Sequence, residues 1–437
     1  MTGKKRLLIL GSDYGTLDTV IEAHRMGLYV IVTDNMPTSP TKEAADEAWN
    51  ISTADIDALV GKCIAKGIAG VTYGASDFNA TNARKLCKRL GLPHCCDNDA
   101  AWECACNKSV FKSTCKSVGA PVATDYFLSD SLNREELDKI RYPVVVKPVD
   151  KSGNEGVSFC DNEAELIKAY KAARAISDNP VIIVERQLHG PVFSANYVLC
   201  NGEARLLCFG ALHNQSGYPH NIYSMIDTTS YHLKQYLETV NQKVIDVFKA
   251  AGLTNGIAWA EAMLDQDGRF YLIEMAHRYG GGMIYAPYKE INGFNSIRYM
   301  IEIAMGVSHT SDDMPEALDG ARTQIAASYF LFTTKATTID SIVGLENIVR
   351  QPNITIDVPK KTHCKTRYRS TMGVMRIVAK DADELCRTIE FINSHFKVTD
   401  SDGNNIIVYF DDFETLKTEY VSGLYEFGTV ADSPRLC

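Results

Sequence analysis

The sequence predicts a mixed α/β and α+β protein: a parallel-sheet segment first, a mixed α+β segment in the middle and a compact α+β segment last. Three observations predict it. Strand-like and helix-like stretches alternate over residues 6–93, the pattern of a parallel sheet with helices on its faces. Residues 107–310 set strands on either side of Asn-Gly and Asp-Gly pairs, which mark tight antiparallel hairpins. From about residue 320, apolar strands surround one amphipathic helix. The expected division is therefore 1–105, 106–310 and 311–437.

In the first segment "RLLILG" is a buried strand, and "GTLDTVIEAHRMG" is an amphipathic helix that Gly27 ends. "YVIVTD" is the next strand, "DIDALVGKCIAKG" a helix, "IAGVTYG" a strand, and "SDFNATNARKLCKRLG" a helix that Gly91 ends. The loop "GSDYGT", with Asp34 after the second strand, raises a dinucleotide site. Asp13 stands where the GxGxxG pattern needs its middle glycine, so a nicotinamide cofactor is not expected.

In the middle segment "NKSVFKSTCKSVGAPV" is a helix that stops near Gly119. "YPVVVKPV" is a strand, "NEAELIKAYKAARAI" a helix and "PVIIVERQL" a strand. "VFSANYVLCNGEARLLCFGALH" is a hairpin turning at Asn201-Gly202, and residues 231–251 form a long helix. "GIAWAEAMLDQDGRFYLIEMAHR" is a second hairpin turning at Asp267-Gly268, and "APYKEINGFNSIRYMIEIAMG" is helical. In the last segment "TQIAASYFLF", "TMGVMRIVAK" and "NNIIVYF" are strands around the helix "DADELCRTIEFINSHF".

Composition narrows the functional classes. A chain of 437 residues has room for two to four domains with full cores. A net charge of −9 argues against a general nucleic-acid binder. The start "MTGKKRLLILGSDYG" is basic but its apolar run is short, so it reads as a first strand and not as a signal peptide. No apolar stretch is long enough to span a bilayer, and the expectation is a cytoplasmic protein. Thirteen cysteines without an export signal read as free thiols in a reducing compartment. Cys87, Cys95, Cys96, Cys104, Cys106 and Cys115 cluster around His94, but no CxxC pair gives them zinc spacing.

The chemistry collects in three places. The stretch "VVVKPVDKSGNEGV" ends a strand on Lys147 and continues into a loop with Ser152, Gly153 and Gly156. Glycines there allow backbone N–H groups to converge on an anion, and the lysine adds a point charge. An ordinary hairpin with a solvated lysine is the other reading of the stretch alone. In the second hairpin, a tight turn places Glu261 and Glu274 directly across from each other on one face. Facing carboxylates among apolar neighbours repel unless a cation sits between them, and a hard divalent ion suits oxygen ligands; a solvated sheet face with two unrelated acids is the other reading. Arg278 followed by Gly280, Gly281 and Gly282 then reads either as a guanidinium beside exposed N–H groups, which suits a carboxylate or phosphoryl group, or as a glycine-rich turn with a surface arginine.

The order of these motifs resembles the ATP-grasp superfamily, in its carboxylate–amine ligase branch. Lys108 at a helix start, Lys147 with its glycine loop, "IIVERQL", the paired glutamates and Arg278 follow one another as in L-amino-acid ligases, glycinamide ribonucleotide synthetase and biotin carboxylase. The resemblance implies an N-terminal Rossmann-like domain, a central ATP-grasp domain of two α+β subdomains and a C-terminal α+β domain. It implies that Lys108 and Lys147 contact nucleotide phosphates and that the loop with Ser152, Gly153 and Gly156 closes over them. Glu185 would hold the adenosine, with backbone groups of Arg186, Gln187 and Leu188 at the adenine edge. Glu261 and Glu274 match the magnesium (or manganese) ligands, and Arg278 matches the arginine that neutralises the transferred phosphate. Val192 stands where many members place a ribose-binding glutamate, and Ala276 where many place an asparagine metal ligand.

The implied function is an ADP-forming ligase that turns a small-molecule carboxylate into an acyl phosphate and couples it to an amine. ATP and Mg²⁺ are the implied cofactors, with no nucleic-acid or membrane partner, and a homodimer is common among relatives. Carboxyphosphate chemistry of the biotin or aminoimidazole type, or a non-catalytic ATP-binding subunit, are the alternatives. The segment "GALHNQSGYPHNIYSMIDTT" is expected to line the acceptor pocket.

Overall fold

The computed structural model describes residues 3–12, 14–96, 98–151, 155–214, 223–228, 232–318, 324–357, 362–367 and 370–419. The chain divides into two compact units, Met1–Cys208 with Val240–Glu316, and Phe209–Thr239 with Ala317–Cys437.

The first unit begins with a parallel sheet. Arg6–Leu10 lies between Tyr29–Thr33 and Ile68–Tyr73, and Glu47–Trp49 extends the edge beyond Tyr29–Thr33. Leu7, Leu8, Ile9 and Leu10 are all fully buried, as a strand covered on both faces requires. The helices take their ends from the residues that the sequence offers. Asp55 caps Ile56–Lys66 by accepting from the Ala58 N–H, and Gly67 closes it at φ 63°. Ser76 caps Asp77–Leu90 by accepting from the Asn79 N–H. That helix therefore starts just past the carboxyl end of Ile68–Tyr73, where open parallel sheets place their sites. The strand Glu47–Trp49 and the helices Pro40–Ala44 and Asp99–Cys106 were not in the sequence reading.

A small antiparallel sheet follows, in the order Asp125–Tyr126, Ile182–Arg186, Val144–Pro148, Ser158–Cys160. Helix Glu163–Ile176 lays Leu166, Ala169, Tyr170 and Ala173 onto Val144, Val146 and Val184 of this sheet. Its apolar positions recur at three- and four-residue spacing, so one stripe faces the core. The unit's third sheet sets Phe270–Ala276 beside Gly256–Leu264, and that strand beside Val192–Cys200. The turn after Val192–Cys200 has Asn201 at φ 48° and Gly202 at φ 82°, the two positive angles that a tight hairpin of matching twist demands.

The second unit is the α+β segment. Ile325–Thr333 pairs with Tyr223–Asp227 on one side and Thr371–Ala379 on the other, and Ile354–Asp357 adds to the far edge. Asp381 caps Ala382–His395, which buries Leu385, Ile389 and Ile392 in one core with Tyr329, Met375 and Ile377.

Three local expectations change. The stretch "NNIIVYF" contributes only Ile407–Val408 as strand. The helix expected over residues 286–306 breaks at Gly293 (φ 75°) into Tyr285–Asn292 and Ser296–Ala304. Residues 231–251 give Leu233–Tyr236, a π-helical Leu237–Asn241 and Gln242–Ala251, with residue 231 outside the described residues.

Candidate active site

The site is built on the three strands of the first unit's third sheet. Their register puts Ser194 beside Glu261 and Glu261 opposite Glu274 in one row. The next row holds Asn196, Trp259 and Ala276. The expected pairing of the two glutamates is present, but the turn that delivers it is different. The loop closes with the Asp265 N–H donating to the Arg269 carbonyl at 2.9 Å, which sets Leu264 opposite Phe270. A bulge between Glu261 and Ala262 then leaves Ile273 unpaired and brings Glu274 opposite Glu261.

Both glutamates are half-buried. Burial pushes the Glu261 carboxyl up to about 8, and the facing Glu274 charge pushes the same way against Lys108, Arg278 and Lys147. Glu274 lies 3.3 Å from the Lys108 ammonium. Lys108 is the first residue of helix Lys108–Ser117, where a cation opposes the helix dipole, so its place there answers to the site and not to the helix. Its Nζ also donates to the Lys151 carbonyl at 2.8 Å. This donor set fits Mg²⁺. Two carboxylates share one face, and among the described residues no group of three or more His, Cys, Asp or Glu forms a self-sufficient metal site. A magnesium ion completes its shell with water and substrate phosphates, so two protein carboxylates suffice. Ala276 is buried and offers no donor.

Lys147 ends the small-sheet strand Val144–Pro148 and is 5% exposed. Its ammonium meets Glu185 Oε1 at 2.5 Å, and Lys112 pairs with the other oxygen of Glu185 and with Asp125. Burial alone would raise the Glu185 carboxyl, but the Lys147 and Lys112 charges outweigh it and hold the group below its ordinary value. Glu185 is thus an anchor between two lysines. Beyond it the Arg186 N–H donates to the Thr124 carbonyl and the Gln187 N–H to the Pro143 carbonyl. The Leu188 N–H has no partner among the described residues. The Arg186 side chain pairs with Asp265 at 2.7 Å, and the His189 N–H donates to the same carboxylate at 2.8 Å. That residue pair ties the segment after Glu185 to the tip of the glutamate hairpin.

Ser152 and Gly153 lie outside the described residues. Gly156 has φ 77°, and a Cβ there would stand 2.6 Å from Ile176 Cδ1 and 3.0 Å from Pro148 Cγ, so only glycine fits. Residues 215–222 and 229 of the expected acceptor segment are likewise outside the described residues.

Arg278 is 8% exposed. Its Nε and Nη2 donate to the two carboxylate oxygens of Asp77 at 2.5 and 2.6 Å, and its guanidinium lies over the Trp259 ring at 5.2 Å. Burial opposes its charge, and the bonds to Asp77 more than restore it, holding Arg278 above its ordinary value. Arg278, Glu274, Lys108, Asp77, Trp259 and Asn82 line a cavity of about 410 Å³. The site therefore brings together Lys108, Glu274 and Arg278 around one space, with Glu261 beside Glu274 in register and Lys147 close enough to act on its charge. Sequence reasoning missed Asp77, Lys112 and Trp259. Lys112 stands one helical turn after Lys108 and Trp259 two residues before Glu261, so helix and strand periodicity carried a signal for both. Nothing local marked Asp77.

Residues 140–286 match the family model of the ATP-grasp domain. Over 195 residues the chain is 26% identical to dapdiamide A synthase of Enterobacter agglomerans, covering 43% of this chain and 44% of that one. Over 268 residues it is 25% identical to the formate-dependent phosphoribosylglycinamide formyltransferase of Methanocaldococcus jannaschii, covering 58% and 66%. The chain spans about half the length of the curated relatives it matches. Among solved structures, the L-amino acid ligase of Bacillus licheniformis aligns with TM-score 0.77 at 21% identity, over 92% of this chain and 100% of that one. The biotin carboxylase of Campylobacter jejuni aligns with TM-score 0.75 at 17% identity, over 92% and 93%. The protein has the ATP-grasp fold.

Proposed function

We propose that the protein is an ATP-dependent, ADP-forming ligase that activates a substrate carboxylate as an acyl phosphate and couples it to an amine. The observation that carries this reading is the Glu261–Glu274 pair, uncompensated in itself and ringed by Lys108, Lys147 and Arg278. Like charges held together inside a protein need a cation, and cationic side chains around that cation need a polyanion. Magnesium nucleotide meets both needs. Bound Mg²⁺ would neutralise the charge on the transferred phosphoryl group.

The chain's own residues do the rest. Lys147 and Lys108 hold phosphate oxygens as point charges, and Arg278 meets the oxyanion of the activated acid. The loop through Gly156 keeps water from the acyl phosphate, which hydrolyses readily. Small-molecule acids and amines are the substrates, a dimer is the assembly, and residues 1–105, 106–310 and 311–437 are the working domains. Among the described residues no helix is long and apolar enough to cross a membrane. The names of two similar proteins, a dapdiamide synthase and an L-amino acid ligase, support amide formation. Carboxyphosphate chemistry is the rival, favoured by the biotin carboxylase neighbour. The test is isotopic: ¹⁸O in the carboxylate of the acid substrate should pass to the released phosphate, with no need for bicarbonate. Bicarbonate dependence, or release of AMP and pyrophosphate, would overturn the proposal.

A further inference from the structure

The inference rests on the acyl-phosphate reading and deepens it. A guanidinium carries five N–H groups in one plane. In Arg278 three are spent: Nε on Asp77 Oδ1 at 2.5 Å, Nη2 on Asp77 Oδ2 at 2.6 Å, and Nη1 on the Tyr279 carbonyl at 2.7 Å. One N–H on each Nη then remains without a partner among the described residues, and the one on Nη2 lies along the end edge of the plane. That end edge is left to meet an oxygen of a carboxylate or phosphoryl group.

Two contacts fix where that end edge points. Asp77 chelates the side edge and sets the rotation of the group within its plane. Trp259 lies against the face and sets the tilt. Among the described residues the Trp259 indole N–H has no hydrogen-bond partner although the residue is only 6% exposed, so the ring is held there by packing and by the cation. Glu274 and Glu261 also sense the Arg278 charge, and Glu274 already meets Lys108 at 3.3 Å. Asp77 and Arg278 come from positions 201 residues apart, and both line the cavity that Glu274 and Lys108 share. Asp77 also opens helix Asp77–Leu90, where the helix dipole favours its charge and holds the carboxylate in one place.

We propose that Asp77 is a positioning residue for the phosphoryl-transfer step. It holds Arg278 by the side edge so that the end edge meets the oxyanion of the acyl phosphate. Asp77 itself touches neither the nucleotide nor the acid.

The test uses the full chain and a probe that needs no knowledge of the natural acid or amine: acetyl phosphate with Mg-ADP. The reverse half-reaction moves the phosphoryl group from the acyl oxygen to the ADP β-phosphate oxygen, giving acetate and ATP. Asp77→Asn should lower kcat tenfold or more. It should not raise KM for acetyl phosphate, because the change removes a negative charge from the cavity. Asp77→Glu should recover part of the loss. In an Arg278→Lys background the Asp77→Asn change should add less than twofold, because Asp77 acts through Arg278. Wild-type kcat in folded Asp77→Asn, a loss carried by KM, or additive losses in the double variant would each overturn the proposal. If Asp77→Asn does not fold, the Asp77→Glu split between kcat and KM decides the same question. A wild-type protein that makes no ATP from acetyl phosphate would sink the acyl-phosphate reading itself, and this inference with it.

Discussion

Glu185 and Glu261 are the same side chain, both held in strands of the first unit, and their environments drive them in opposite directions. Glu185 has the Lys147 ammonium at 2.5 Å and Lys112 on its other oxygen, and its carboxyl is held below the ordinary value. Glu261 has Glu274 opposite and no ion pair to a cation among the described residues, and its carboxyl is pushed up to about 8. Burial acts on both, so burial does not separate them. The nearest charge does. A satisfied carboxylate of the first kind holds a structure together. One of the second kind is left wanting a cation, and such groups gather at working sites.

The comparison breaks most visibly in activity. Glu261→Gln or Glu274→Gln should cost a thousandfold or more in turnover, about 4 kcal/mol of barrier, while the fold survives. Near-normal turnover in steady-state assays would make the pair two unrelated acids. Glu185→Gln should do the reverse to the fold. It leaves two buried lysines without their shared anion and should cost about 3 kcal/mol or more of stability in urea melts, whereas metal-free Glu261→Gln should be as stable as wild type or more so. Lys147→Ala should weaken ATP binding by about 2 kcal/mol in calorimetry, the worth of one charged phosphate contact. Unchanged affinity would remove Lys147 and its loop from the nucleotide.

The smallest effect is in pH. A carboxyl raised in the folded state stabilises the fold while protonated, and that contribution is lost as pH rises. Between its ordinary value of 4.5 and about 8, Glu261 should therefore make metal-free protein progressively less stable, and Glu261→Gln should flatten that part of the curve. Glu185, shifted the other way, should lose its contribution only as pH falls through the acid range. Equal slopes for wild type and Glu261→Gln above pH 5 would show that Glu261 titrates normally.

Much of the frame was legible because local signals agree with it. Asp55, Ser76 and Asp381 stand at helix starts and cap them, and Gly67 and Gly91 close two helices. The facing glutamates were readable from hairpin register, although the bulge at Ile273 was not, since no residue type announces it. Lys147 was readable as a strand end, but its partners were not. Asp125, Glu185 and Lys112 meet only when a helix and two strands come together. Asp77 was the least legible of all, because a capped helix start explains an aspartate there without any reference to Arg278.

Proton release on nucleotide binding tests most directly whether a cation sits between Glu261 and Glu274. At pH 7 a carboxyl pushed up to about 8 is mostly protonated in metal-free protein, and it must ionise to ligate Mg²⁺. Calorimetry of preformed Mg-ADP in buffers of different ionisation enthalpy counts the protons released. Wild type should release nearly one proton more than Glu261→Gln. Equal release from the two proteins, with Mg-ADP bound to both, would contradict the account.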